Sequence, residues 1–398
     1  MRFVIIGSGL AGVSAAAELR EAGGDGHEIV LVGEEAEAPY DHPPLSKGYL
    51  RGEVDDAGAL LRPAGWYAEA GVERRAGARA VRVAPAADAV RLASGEELPF
   101  DRCLVATGGR ARRLDVPGAG LEGVMTLRTL ADARALREAA AGGARVAVVG
   151  GGFIGAEAAA SLRARGCAVD LLMLERSVLE GPLGPALGAI LSARLSDMGV
   201  RLHPGAAVAA LEGDGRGRVA RVRAGDGTAV EADLVLLGVG MAPALELAEA
   251  SGLALERGGI ACDESLRTSR PRVFAAGDVA SPRSPVAGGR IRVEHWAEAL
   301  NQGKLAARAM LGLEAVYDRV PYFFSDIGDS GIEYVGVGGP VEEELVLARD
   351  GGHVACHLRD GRAVGVATLD ADGVLDPARA VVRDRCDRDA ARARLAAA

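Results

Sequence analysis

Two glycine runs carry the chemistry that this sequence offers most plainly. Gly7, Gly9 and Gly12 stand in Gly7-Ser8-Gly9-Leu10-Ala11-Gly12, and Gly150, Gly152 and Gly155 stand in Gly150-Gly151-Gly152-Phe153-Ile154-Gly155, so G-x-G-x-x-G occurs twice. Each run follows a short apolar stretch, Phe3 to Ile6 or Val146 to Val149, and opens an Ala-rich stretch of helical character. Strand, tight turn and helix in that order read as a dinucleotide site rather than a generic glycine-rich βα turn. The first glycine allows the turn, the second lets the backbone approach a pyrophosphate, and the third lets helix and strand pack closely. The helix N-terminus then offers N–H groups to the anion. An acidic pair, Glu34-Glu35, closes the strand after the first run, where a carboxylate can take a ribose. Two such units predict two bound nucleotides, or a duplication in which one copy has lost its ligand; two nucleotides is the expectation.

Other residues add to this. The proline-fixed loop Pro39 to Lys47 delivers a lysine to the start of a helix, either as a surface charge or as a group placed for chemistry. Phe274-Ala275-Ala276-Gly277-Asp278 ends a strand on an aspartate, the crevice position at which doubly wound sheets bind ligands. Glu294-His295-Trp296 precedes a helix, Ala297 to Leu311, expected over that crevice. His353 and His357 fall in a run read as a hairpin strand, with their side chains alternating onto one face, so no metal is expected. The cysteines, Cys103, Cys167, Cys262, Cys356 and Cys386, are dispersed with no C-x-x-C, as reduced thiols would be.

The elements that position these residues make up 398 residues, enough for two or three domains. A net charge of -9 disfavours nucleic acid as a partner, and no uninterrupted apolar run reaches the ~18 residues of a membrane span. The first strand begins at residue 3, which leaves no room for a signal peptide, so a cytoplasmic protein is expected. Residues 60–100 read as an excursion of helix and short strands with a hairpin at 93–96, and Ala106-Thr107-Gly108-Gly109 brings the chain back. The second unit continues with a strand at 169–174, a helix from about 187 to 198 and a meander with turns at 213–215 and 225–227. A strand at 233–238 is expected to re-enter the first domain, and residues 376–398 to form a charged helical tail. The expected fold is α/β: two Rossmann-like doubly wound domains, one inserted in the other, plus a small C-terminal α+β domain. The boundaries are 1–110 with 235–318, then 111–234, then 319–398.

The order of motifs resembles the FAD-dependent, NAD(P)H-linked reductases of the pyridine nucleotide–disulfide oxidoreductase class. Within it, the chain is most similar to ferredoxin and rubredoxin reductases that feed cytochromes P450 and Rieske-type oxygenases. The resemblance rests on PYDHPPLSK at 39–47, ATGG at 106–109, LRTLADA at 127–133, GGGFIGAE at 150–157, FAAGDVA at 274–280, VEHW at 293–296 and PYFFSD at 321–326, which together cover nearly the whole length. It implies that Gly7, Gly9, Ala11 and Gly12 hold FAD, with Glu34 on the adenosine ribose, a backbone contact near Ala80, Arg128 on the phosphates, Asp278 at the ribityl and pyrophosphate end, and Trp296 at the isoalloxazine edge. It implies that Gly150, Gly152, Ile154, Gly155 and Glu175 hold NADH or NADPH. Lys47 and Glu157 are the implied catalytic pair beside the flavin: the lysine stabilises negative charge on reduced flavin, and the carboxylate holds the lysine and helps place the nicotinamide. Glu157 reads as lying on the first turn of its helix, where a plain capping role is the alternative.

The implied activity is that of an oxidoreductase passing hydride from NAD(P)H to FAD and single electrons to a ferredoxin-type iron–sulfur protein, from a monomer or homodimer. Residues 34–60 lack the C-x-x-x-x-C pair or lone redox cysteine of the disulfide reductases, which argues against thiol–disulfide chemistry. The chain departs from its relatives at His42, where many carry arginine, and at Met173, where the acidic residue that grips the adenine ribose should fall by counting from Gly155. Glu175 and Arg176 follow, pulling toward NADH and NADPH respectively, with NADH favoured. An electron-transfer partner predicts a basic docking patch, either Arg110, Arg112 and Arg113 or Arg290 and Arg292. The alternatives are a flavoenzyme acting directly on a small metabolite and a non-catalytic flavin-binding signalling protein.

Overall fold

A parallel strand covered on both faces reads as a near-continuous apolar run, and Phe3 to Ile6 and Val146 to Val149, beside the two glycine runs, are such runs and are buried. The computed structural model describes residues 1–84, 88–339 and 341–397; residues 85–87 of the expected 60–100 excursion, and Pro340 and Ala398 of the C-terminal region, lie outside them. In chain order, β1 (Arg2–Ile6), α1 (Leu10–Gly23), β2 (Glu28–Val32), β3 (Val72–Arg75) and β4 (Arg102–Val105) come first. The next segment holds β5 (Val124–Thr126), α2 (Leu130–Ala139), β6 (Arg145–Val149), α3 (Phe153–Ala164), β7 (Ala168–Met173), α4 (Glu180–Asp197), β8 (Arg201–Pro204) and β9 (Leu234–Leu237). Then follow β10 (Val273–Ala275) and α5 (Trp296–Met310). The chain closes with β11 (Tyr322–Ile327), β12 (Ser330–Gly336), β13 (Glu343–Arg349), β14 (Gly352–Arg359), β15 (Arg362–Leu369), α6 (Leu375–Arg383) and α7 (Arg388–Ala396).

The chain divides into two compact units. One comprises Met1–Asp41, Leu60–Arg110 and Ala242–Phe323; the other comprises His42–Ala59, Ala111–Met241 and the chain from Phe324 onward. In the first, a parallel sheet runs β10, β4, β1, β2, β3, with Ile6 between Val32 and Val105. Its core is built from Phe3, Ile5, Leu31, Leu104 and Phe274, all buried, with α1 and α5 packed on it. The two helices approach so closely that a Cβ on Gly303 would collide with the Ala11 carbonyl. The chain that leaves after Gly109 and returns at Ala242 is tied at both sides: Thr107 Oγ1 donates to the Ala244 carbonyl and Ala244 N to the Gly108 carbonyl, each at 2.9 Å.

In the second unit a parallel sheet runs β8, β7, β6, β9, β5. This corrects one expectation. The strand at 233–238 does not re-enter the first sheet; as β9 it pairs with β6, Val146 opposite Leu234 and Val149 opposite Leu237. Its four residues are all buried, as a central parallel strand requires. The helix expected from 187 begins earlier, at Glu180, and is interrupted at Gly184, whose φ of +80 precedes Pro185. From Phe324 the chain contributes to an antiparallel sheet, β11, β12, β15, β14, β13, with α6 and α7 as its helices. Among the described residues, no helix is long and apolar enough to cross a membrane.

The Gly303 contact yields a test of this packing. Gly303→Val forces α1 and α5 apart and costs about 1–3 kcal/mol, so the thermal midpoint falls by about 3–10 °C. An unchanged midpoint in a melting curve would contradict the close approach.

Candidate functional site

Both glycine turns solve the same steric problem. Gly7 and Gly150 have φ of +112 and +111, a region that strains any L side chain. A Cβ on Gly7 would collide with the Ala106 carbonyl, and one on Gly150 with the Gly238 carbonyl; on Gly12 and Gly155 it would strike the carbonyls of Gly7 and Gly150. Gly9 and Gly152 differ from these: nothing lies within 4 Å of where their Cβ would be. Each is the N-cap of its helix with no side chain capping it. Tight backbone behind and open space before a helix N-terminus make a cradle that a pyrophosphate fits. FAD and a nicotinamide nucleotide are therefore compatible with the residues present, one per unit.

In the first unit, Ala11 is buried against α5, while Glu34 follows β2 with its side chain 53% exposed, within ion-pair reach of Arg79 at 3.7 Å and Arg110 at 3.5 Å. Ala80 opens a short strand, Ala80–Ala84, and is half-buried. Asp278 follows the turn at Gly277, whose N–H donates to Gln302 Oε1 at 3.0 Å. Trp296 begins α5, and its Nε1 donates to Asp41 Oδ1 at 2.7 Å, which sets the indole plane. Beside it, burial pushes the His295 imidazole down to about 4, so the ring is neutral, and it stands edge-on to Phe323.

In the second unit, Arg128 precedes the α2 cap formed by Thr129 and Asp132, with its backbone N–H donating to Asp132 Oδ2 at 2.9 Å. Burial, together with the Arg128 cation, pushes His42 down to about 3. Ile154 is exposed on the first turn of α3. The backbone hydrogen bonds equate the two turns residue by residue. Gly7 N donates to the Val32 carbonyl and Gly150 N to the Leu172 carbonyl, both at 2.8 Å; beyond them Ala78 N and Ala206 N reach the carbonyls of Gly33 and Met173. Met173 thus occupies the place of Gly33, its side chain buried under Gly151, and Leu174, 71% exposed, occupies the place of Glu34. Glu175 is exposed one residue further, so counting along the sequence falls one short of the position the backbone equates with Glu34.

Lys47 and Glu157 meet, Nζ to Oε1 at 3.0 Å. Lys47 caps the short helix Gly48–Arg51 after a 3-10 turn that the prolines impose. Glu157 does not sit on the first turn of α3 as expected, but one turn in, facing inward and only 6% exposed. One turn in, it is not the cap of this helix; its charged partner is the Lys47 ammonium. Its lysine is restrained and presents a fixed cation, the arrangement that stabilises negative charge developing on a bound group.

Residues 1–303 match the family described as pyridine nucleotide-disulphide oxidoreductase. The chain belongs to this family. It is 38% identical over 375 residues to a protein named probable ferredoxin reductase CtmF of Castellaniella defragrans, covering 93% of this chain and 90% of the relative. It is 41% identical over 333 residues to the biphenyl dioxygenase system ferredoxin–NAD(+) reductase component of Paraburkholderia xenovorans, covering 83% and 80%. Among solved structures, the covalent putidaredoxin reductase–putidaredoxin complex aligns with a TM-score of 0.91 at 32% identity, covering 97% of this chain and 94% of that one.

Within the family frame, several residues escaped sequence reasoning. Asp41, Ser46 and Ser325 lie inside quoted motifs but carry no chemical signal there; each is found only through its partner. Of the docking arginines, Arg290 is turned inward onto the carbonyls of Cys262 and Ser281, with Glu256 at 2.9 Å, and Arg292 is paired with Glu294. These two correct the expectation of an exposed basic patch there. His357 is buried and faces the Leu183 carbonyl, while His353 lies on the same face of β14, half-buried. Behind Gly277, Gln302 Nε2 reaches Glu298 Oε2 at 3.5 Å, which also accepts from Tyr317 Oη at 2.6 Å.

Glu298 is 1% exposed, and burial raises its pKa above the ordinary carboxylate value, with the Tyr317 and Gln302 hydrogen bonds only partly opposing this. A raised folded-state pKa contributes stability that is present below about 4.5 and lost as pH rises through the folded value. Glu298→Gln keeps the shape and removes the charge. Its thermal midpoint should gain on the wild type as pH rises above that range and converge with it in acid; parallel curves would contradict the assignment.

Proposed function

We propose that this chain takes reducing equivalents from NADH onto bound FAD and passes single electrons to a ferredoxin-type iron–sulfur protein serving a P450 or an oxygenase. The observation that carries the reading is the ion pair of Lys47 with the buried Glu157 in a chain with two nucleotide turns. When bound, FAD supplies the conversion of a two-electron donor into one-electron steps. The chain's own part is binding and charge placement. Gly7, Gly9, Ala11 and Gly12 offer backbone to the FAD pyrophosphate, Arg128 a guanidinium to its phosphates, Glu34 and Asp278 carboxylates to its hydroxyls, Ala80 a backbone contact, and Trp296, fixed by Asp41, a flat wall. Gly150, Gly152, Ile154 and Gly155 do the same for NADH, with Glu175 on its ribose. Lys47 places a cation for charge arising on reduction, and Glu157 keeps it there.

The cysteines support the ferredoxin branch over thiol chemistry. All five are buried and unpaired, and burial raises the thiols of Cys103, Cys167, Cys262 and Cys356, the last two to about 12. Such thiols are far from the thiolate that disulfide exchange needs. Reduced thiols also fit a cytoplasmic setting. We assign residues 1–110 and 242–318 to the FAD-binding domain, 111–241 to the nicotinamide nucleotide domain and 319–398 to the C-terminal domain.

Anaerobic mixing of the yellow protein with NADH or NADPH, then with a panel of ferredoxins, tests the reading. Reduced flavin should be reoxidised faster by at least one ferredoxin than by oxygen or a dye. Failure with every ferredoxin, or reduction by a small metabolite while NAD(P)H does nothing, would overturn it. Glu175→Ala should raise the KM for NADH about tenfold at little cost in kcat, as loss of ground-state binding does. Weakened NADPH use in Arg176→Ala with no effect of Glu175→Ala would reverse the nucleotide preference.

A further inference from the structure

Glu157 is held by more than its lysine. Ser325 Oγ donates to Oε1 at 2.6 Å, the oxygen that also faces Lys47, and Ser46 Oγ donates to Oε2. Ser46 is itself tied, because Ser161 Oγ donates to its carbonyl at 2.7 Å, and Ser161 lies one turn after Glu157 on α3. All three serines are buried. A lysine alone would leave the carboxylate free to turn about its last bonds. Donors on both oxygens remove that freedom, and hydrogen bonds to a charged acceptor are the strong kind.

The strand that supplies Ser325 is built for this. Along β11, Phe323, Ser325 and Ile327 are buried while Phe324 and Asp326 are exposed. A hydroxyl at the central inward position of such an alternation is costly unless it has a partner, and its partner is the carboxylate 168 residues earlier. We infer that Ser325, with Ser46, is a positioning residue for the reduction of flavin by NADH: it fixes the Glu157 carboxylate so that the Lys47 ammonium is offered at one place. The inference rests on the reading of Lys47 and Glu157 as the pair that serves this step.

The test compares Ser325→Ala, Ser325→Thr and Glu157→Gln, each purified with its flavin. Three quantities are read: the limiting rate of anaerobic flavin bleaching by NADH, the dissociation constant of NAD+ from absorbance titration of the oxidised protein, and the melting temperature. Ser325→Ala should lower the limiting rate about tenfold, the loss of one hydrogen bond to a charged group. Its NAD+ affinity should stay within about twofold, a rate effect rather than a binding effect. Ser325→Thr, which keeps the hydroxyl, should recover most of the rate even if it melts lower than the alanine variant. Wild-type bleaching by Ser325→Ala, with Glu157→Gln slow, would overturn the serine's role alone. Wild-type bleaching by Glu157→Gln would overturn the pair and the serine together. Rates that follow melting temperature across the two serine variants, with no recovery in threonine, would reduce Ser325 to a structural hydroxyl.

Discussion

A carboxylate taken out of water must be met by donors on all sides, a requirement that falls on Glu157 as it does on Glu298. Desolvating one charge is costly, and the cost is offset only where partner charge and hydrogen bonds are both in place. Lys47 supplies the charge and Ser46 and Ser325 the hydroxyls. Three stretches far apart in sequence are thereby drawn to one atom pair: the proline loop ending at Lys47, helix α3 and strand β11. The residues that meet there all belong to the second unit, which gathers residues 42–59, the inserted parallel sheet and the segment from Phe324. The same convergence gives the lysine a fixed position, which is what a group serving electron transfer to a bound flavin needs.

The second constraint is steric and occurs twice. A backbone that turns sharply, then presents a helix N-terminus to open space, excludes side chains at its first and third glycines and leaves the middle one facing outward. The two copies agree in φ to within a degree at Gly7 and Gly150, yet they differ where the adenosine end would lie, with Glu34 in one and Leu174 in the other. A glycine turn recognises phosphate without regard to what the phosphate carries. Identity is set by the residues around it, and here those residues are not duplicated.

Much of this was legible in the sequence because it is local. The glycine turns, the apolar parallel strands and the hairpin at 93–96 follow from neighbours in the chain, and they lie where expected. Lys47 and Glu157 were legible only through resemblance, since nothing in either residue's surroundings announces the other. What escaped is non-local. The partnership of Ser325 with Glu157, the Asp41 hydrogen bond to Trp296, and the Tyr317–Glu298–Gln302 chain each depend on packing between distant segments. Counting from Gly155 stops one residue short of Leu174, the counterpart of Glu34, because counting assumes equal loop lengths whereas register follows hydrogen bonds. The strand at 234–237 was misassigned for a related reason, since four buried apolar residues suit either sheet equally well.

Under the proposed function, the Lys47–Glu157 ion pair, rather than the nucleotide turns alone, makes this fold an electron-transfer catalyst. Glu157→Gln is nearly the same size and keeps a hydrogen-bonding oxygen, but it removes the charge that holds Lys47. The most direct measurement is the rate at which saturating NADH bleaches the flavin of this variant without oxygen, beside the wild type. The rate should fall about tenfold to a hundredfold with flavin still bound, the scale of losing one placed charge. Bleaching at the wild-type rate would contradict it.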